Sequence, residues 1–189
     1  MSTQKYGPHL EHLYAVAGSR SGRLIAVAGR RETDTPVDSQ VHLYGKSKLD
    51  ALASFPVSGS IAALEFAGGD LLIAGGDRGT LFGWDCGSDT PTRTLEHAHG
   101  IHVAITALAS DEKGETLAVV DESGQLTTYA ITKGSLTPIE RRKLSNRALR
   151  TVAFDASSGK LAAGGEDSVV RVFASAKLEG EAREMPLGE

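Results

Sequence analysis

The chain has a single cysteine, Cys86, so no internal disulfide can form, and a disulfide-stapled secreted fold is excluded. Aromatic residues make up only 5% of the sequence, and tryptophan occurs once, at position 84. No stretch approaches the ~18 apolar residues of a membrane-spanning helix. The first residues, Met1 to Leu13, are polar and carry no apolar run, so no signal peptide is expected and a cytoplasmic location is the default. Basic excess is missing too. Lys+Arg 20 against Asp+Glu 24 gives a net charge of −4, the wrong balance for a general nucleic-acid binder. Neither a Gly-x-Ser-x-Gly elbow nor a Gly-x-x-x-x-Gly-Lys phosphate loop occurs. No catalytic residue and no cofactor is therefore assigned.

What the sequence does have is glycine, 22 of 189 residues, and these glycines fall in a repeat. Four units each hold short aliphatic segments bounded by Gly, Asp and Ser. In the second unit they run Ile61 to Phe66, Asp70 to Gly76 and Thr80 to Trp84; in the fourth, Arg150 to Phe154, Lys160 to Gly165 and Val169 to Phe173. Each third segment closes on an aromatic, namely Tyr44, Trp84, Tyr129 and Phe173, spaced 40, 45 and 44 residues apart. Segments of 4–7 residues between turn formers read as hairpin strands, and ~40–45 residues is the period of propeller blades. The links at Leu52 to Phe55, Arg93 to Leu95 and Pro138 to Leu144 can each supply a fourth, outer strand.

This reading predicts an all-β protein, a propeller of four blades. Residues 1–12 lead in or add an outer strand. The units cover about 13–46, 47–87, 88–132 and 133–173, and 174–189 form a last strand or an acidic tail. Small residues such as Ala26, Ala28, Ala62, Ala63, Ala162 and Ala163 suit strands crowded near a propeller axis, and the four aromatics are expected to fill the gaps between blades.

These residues resemble the WD-repeat β-propellers. Gly75-Gly-Asp-Arg-Gly-Thr-Leu-Phe-Gly-Trp-Asp85 is similar to the third-strand segment of such a repeat, with Trp84 and Asp85 as its closing pair. His99-Gly100 stands where the family carries its Gly-His pair, in reverse order, and Asp167 stands where the family has its turn aspartate. At that offset the second unit has Arg78 and the third Ser123, so the family's polar set of His, Ser/Thr, Asp and Trp reads as incomplete in every unit. The resemblance covers Leu13 to Phe173 and implies a non-enzymatic scaffold or adaptor that binds proteins. The alternative it leaves open is a sensor that binds a small ligand in the central channel.

Four such blades are few for a closed ring, which predicts completion by a second copy, as a homodimer, or by a different chain in a heteromer. Two segments carry candidate chemistry. His97, His99 and His102 place three imidazoles within six residues, a possible zinc cluster weighed against a structural loop. Arg30 to Gln40 is an insertion between the second and third strands of the first unit, and loops of extra length on a rigid scaffold often carry recognition. In the family this turn shares a face with the connections between blades. Arg30, Arg31, Asp34, Asp38, His99 and His102 are thus the candidate partner-binding residues. The basic run Arg141-Arg142-Lys143, with Arg147 and Arg150, lacks the interleaved aromatics of a nucleic-acid platform. It reads as a solvated outer strand or a patch for an acidic protein.

Overall fold

The computed structural model describes residues 12–30, 38–99, 102–157 and 159–187. These form sixteen strands in four antiparallel sheets, each built from four consecutive strands. Blade 1 holds β1 (His12–Gly18), β2 (Leu24–Arg30), β3 (Asp38–Gly45) and β4 (Ala51–Ser58). Blade 2 holds β5 (Ile61–Ala67), β6 (Leu71–Gly76), β7 (Thr80–Asp85) and β8 (Thr92–Ala98). Blade 3 holds β9 (Ile105–Ser110), β10 (Thr116–Asp121), β11 (Gln125–Thr132) and β12 (Ser135–Lys143). Blade 4 holds β13 (Leu149–Phe154), β14 (Leu161–Gly165), β15 (Val169–Phe173) and β16 (Arg183–Pro186). The outer strands expected at the links are present as β4, β8 and β12, and the residues beyond Phe173 supply β16, which pairs with β15. Residues 1–11 of the expected lead lie outside the described residues; the outer strand of blade 1 is β4.

The first strand of each sheet is innermost. β1 packs beside β5, β5 beside β9 and β9 beside β13, whereas no pair of strands joins blade 1 to blade 4 in more than marginal contact. The four blades therefore form an arc with two end faces. Burial along the second strands follows from this arrangement. β6 is buried at all six positions because blades lie on both its faces, and it reads as a continuous apolar run, Leu71-Leu-Ile-Ala-Gly-Gly76. β2, in an end blade, alternates between buried and half-buried residues over most of its length.

The core is divided among three seams. Leu24, Ala26, Ala28, Val41 and Leu43 of blade 1 meet Leu72, Phe82 and Trp84 of blade 2. Ala63, Ile73 and Leu81 of blade 2 meet Leu117, Val119 and Tyr129 of blade 3. Ala118, Val120 and Leu126 of blade 3 meet Leu149, Leu161 and Phe173 of blade 4. The Trp84 ring lies stacked on Phe55 of the preceding blade, with centroids 4.8 Å apart and planes at 20°. Cys86, just after the end of β7, is buried in the first seam. Its N–H donates to Asp70 O at 3.1 Å, which folds it beneath the β5–β6 turn, and burial pushes its thiol up to about 11. A thiol so protonated is a packing residue, not a nucleophile.

At one rim of the arc, polar side chains tie the blades together. Arg20 of the β1–β2 turn donates to the Ser110 carbonyl at 3.1 Å and to its Oγ at 3.0 Å, and also to the Glu112 carbonyl, reaching blade 3 from blade 1. Ser110 Oγ donates to Glu65 of blade 2 at 2.6 Å. Arg23 pairs with buried Asp70 at 2.7 Å. Gly114 and Gly68 bring their backbones together between blades 2 and 3, where a Cβ on Gly114 would stand 1.8 Å from Gly68 N.

Candidate functional site: the turn face and its histidine anchor

At the opposite rim the β6–β7, β10–β11 and β14–β15 turns lie beside the connections between blades. The Asp77 N–H donates to Ser60 O, the His99 N–H to Gly79 O, Leu144 N–H to Gly124 O and Glu166 N–H to Ala148 O, all at 2.8–2.9 Å. These turns and connections form one continuous face. The β2–β3 insertion leaves from Arg30 and returns at Asp38, on this same side. The strands claim more of it than the sequence suggests: Arg30 belongs to β2 and Asp38 to Gln40 to β3. Arg31 and Asp34 lie outside the described residues. Arg30 is half-buried, and its Nε is shut away from solvent with no hydrogen-bond partner among the described residues.

The histidine segment is resolved into three different environments. His99 is buried, 3% exposed. Its Nδ1 lies 2.7 Å from Tyr129 Oη and its Nε2 3.4 Å from Asp121 Oδ2. Burial raises the Tyr129 pKa and keeps its hydroxyl protonated beside Nδ1, while Nε2 of His99 faces Asp121. Asp121 Oδ1 accepts from Ser123 N–H at 2.9 Å, Ser123 Oγ at 2.6 Å and Gln125 N–H at 3.1 Å. Burial alone would push the Asp121 carboxyl up. The hydrogen bonds from His99, Ser123 and Gln125, with the nearby imidazole, outweigh it and hold the carboxyl below its ordinary range. His97 is half-buried and meets the Tyr129 ring edge-on at 5.3 Å; burial, then His99 and Arg141, lower its pKa. His102 is exposed, in a left-handed conformation.

Three imidazoles do not converge. Among the described residues no group of three or more His, Cys, Asp or Glu side chains is placed to hold a metal ion. Both nitrogens of His99 face protein groups, so this residue pins the connection between blades 2 and 3 onto blade 3 and is withdrawn from the partner-binding surface. Its acid is Asp121, the last residue of β10, whereas the sequence offset points two residues on, to Ser123. Blade 3 thus carries a more complete polar set than its sequence shows, with Tyr129 closing it. In blade 4, Asp167 accepts from Arg171 at 2.7 Å and from Val169 N–H at 3.3 Å. Asp85 is exposed at the end of β7 and caps the next turn by accepting from Gly87 N–H at 2.9 Å.

The basic run is engaged in the fold. Arg141 donates to the His99 carbonyl and to Thr127 Oγ1, Arg142 to Gly180 O at 2.7 Å, and Lys143 to the Ser123 carbonyl. A cleft of about 570 Å³ beside it, between the outer strands of blades 3 and 4, is lined by Arg142, Lys143, Arg171, Phe173 and Glu184, and its Arg171 pairs with Asp167 and Glu184. Arg150 stands exposed on the turn face, between Glu122 at 3.4 Å and Glu166 at 2.5 Å, with Arg147 donating to Glu166 O. The convergence of Glu122 and Glu166 on Arg150 depends on the packing of blade 4 against blade 3.

No protein-family model and no curated protein matches the sequence. Solved structures do match the fold. The crystal structure of Sqt1 from Chaetomium thermophilum superimposes with a TM-score of 0.74 at 19% identity, over 88% of this chain and 44% of that one. A second structure of the same protein gives 0.71 at 19% identity over 89% and 44%. The β-propeller domain of Cps50 (Swd1) from Myceliophteria thermophila gives 0.69 at 15% identity, over 90% and 55%. The chain spans about half the length of the structures it matches. Its fold is that of WD-repeat β-propellers, in four blades.

Proposed function

We propose that the chain is a non-enzymatic scaffold for protein–protein interaction, working in the cytoplasm, whose turn face meets a protein partner and whose end faces pack on further blades from another copy or a different chain. The observation that carries this reading is the pair of end faces. Val16 is 70% exposed and Leu13 65% on blade 1, and Met185 is 41% exposed on blade 4, on sheet faces of the kind buried at every internal seam. The inner strands favour a scaffold over a channel ligand. They are dominated by alanine and aliphatic residues, and several of their polar members are engaged within the fold: Glu65 with Ser110, and Thr106 with the carbonyls of Val120 and Leu149.

On the turn face, two variants test partner binding. Removing residues 32–36 leaves β2 and β3 whole, and Arg150→Glu places a third carboxylate between Glu122 and Glu166. Arg150 is exposed and the deletion spares both strands, so thermal stability is expected to stay within about 1 kcal/mol. Capture of protein partners is expected to fall several-fold for at least one variant. Unchanged capture by both removes the turn face as the partner site.

A further inference from the structure

Every internal seam joins two unlike faces. The backward face of each blade carries the closing aromatic and the aliphatic residue across from it in the sheet: Trp84 with Leu72, Tyr129 with Leu117, Phe173 with Leu161. The forward face of the preceding blade offers small and aliphatic residues to receive it. The same register pairs Tyr44 with Ile25 on blade 1, so Tyr44 points backward, away from blade 2. The three seam aromatics are at most 1% exposed, whereas Tyr44 is only half-buried. Val16 pairs with Val27 on that same face. Blade 4 ends the arc with a forward face of Ala153, Ala162, Val172 and Met185, where Ala153, Ala162 and Val172 form one cross-strand row. Among the described residues, the chain thus carries one face of each kind, unpaired.

We propose that the occupant of both faces is a second copy of this chain, docked head to tail so that blade 4 of each copy receives Tyr44 of the other and eight blades close into a ring with two-fold symmetry. The proposal rests on the scaffold reading and names its partner. One copy supplies both missing faces at once, and eight blades fall within the ~4–8 of known propellers. Closed two-fold assembly is the commonest solution for identical subunits. All four sheets are already complete from consecutive strands, so closure needs face-to-face packing and no strand exchange. Each face spans four strands ~4.8 Å apart and about six residues at ~3.3 Å, or roughly 350 Å². Two seams bury four such faces, about 1,400 Å², within the ~1,200–2,000 Å² of stable interfaces.

Sedimentation or light scattering on the full chain at micromolar concentration tests it. The expected mass is about twice the 19.8 kDa of one chain. Val16→Asp and Ala153→Asp change exposed residues of opposite end faces, and each is expected to give a monomer with an unchanged circular dichroism spectrum. Mixed together, they should recover a one-to-one dimer, because one of its two seams then joins two unaltered faces. A folded wild-type monomer overturns the proposal, as does open-ended polymer. A dimer broken by Val16→Asp but indifferent to Ala153→Asp also overturns it, since that would place blade 1 on blade 1. A wild-type monomer whose partner capture still depends on the turn face leaves the scaffold reading standing and removes the second copy. A dimer whose partner capture ignores both turn-face variants does the reverse.

Discussion

Replacing Trp84 by alanine is expected to destabilise the chain by about 3–5 kcal/mol, the cost of emptying a large aromatic site in a packed core. Its indole is 1% exposed, stacks on Phe55, and sits with Leu72, Phe82 and the small residues of β2 in the seam between blades 1 and 2. The loss is felt by two blades at once, because the cavity opens between sheets and neither backbone can collapse into it without moving a whole blade. At roughly 2–4 °C per kcal/mol for a chain of this size, the thermal midpoint followed by circular dichroism should fall by about 10 °C. Trp84→Phe keeps the stacked ring and should lose about half as much. Tyr44→Ala is the internal contrast: the same repeat position, but on an open face, so its effect on the melt of the separated chain should be about 1 kcal/mol. A Trp84→Ala protein that melts within about 1 kcal/mol of wild type would show that the indole is not the core of the seam.

The difference between these two aromatics marks how far the sequence could be read. Tyr44, Trp84, Tyr129 and Phe173 are equivalent in the repeat, and their spacing alone predicts the blades. Equivalence along the chain does not say which copy has a neighbour; that depends on the arc, in which blade 1 has nothing before it among the described residues. The polar anchor was harder to read for a different reason. A fixed offset before each aromatic points to Asp167 in blade 4 but lands on Ser123 in blade 3. The acid that faces His99 is the last residue of β10, at the position occupied by Gly76 and Gly165 in blades 2 and 4, as the pairings Asp121 with Ile105, Gly76 with Ile61 and Gly165 with Leu149 show. A carboxylate there has a use only if an imidazole arrives from the preceding connection, and that is a tertiary fact. Cys86 illustrates the same limit. A residue just after a strand reads as exposed turn, yet the hydrogen bond from its N–H to Asp70 O pulls it under the neighbouring loop into the core. The basic run 141–143 looks like surface charge in sequence, but in the fold each of its three side chains reaches a backbone carbonyl of another segment.

Asp121→Ala is expected to cost a further blade-sized amount, about 3–5 kcal/mol, because removing one partner of a buried polar set strands the others. The carboxylate is buried, 4% exposed, and its loss leaves the Ser123 and Gln125 N–H groups without their acceptor and Nε2 of His99 facing a cavity. Asp121→Asn keeps the volume and one carbonyl oxygen, and should cost about 1–2 kcal/mol. The pH dependence separates a charge role from a space-filling one. The folded-state carboxyl is held below its ordinary value of 3.8, so Asp121 binds a proton more readily in the unfolded chain. Its contribution is therefore fully present above the ordinary value and disappears as pH falls through the lower folded value. Wild-type stability, read from urea midpoints, should decline on acidification below about pH 4, and Asp121→Asn should show a shallower decline over that window while remaining less stable at pH 7. Curves that fall in parallel would mean that the Asp121 carboxyl titrates alike in the folded and unfolded chain, and that its contacts with His99, Ser123 and Gln125 have no net electrostatic share in holding blade 3 to blade 2.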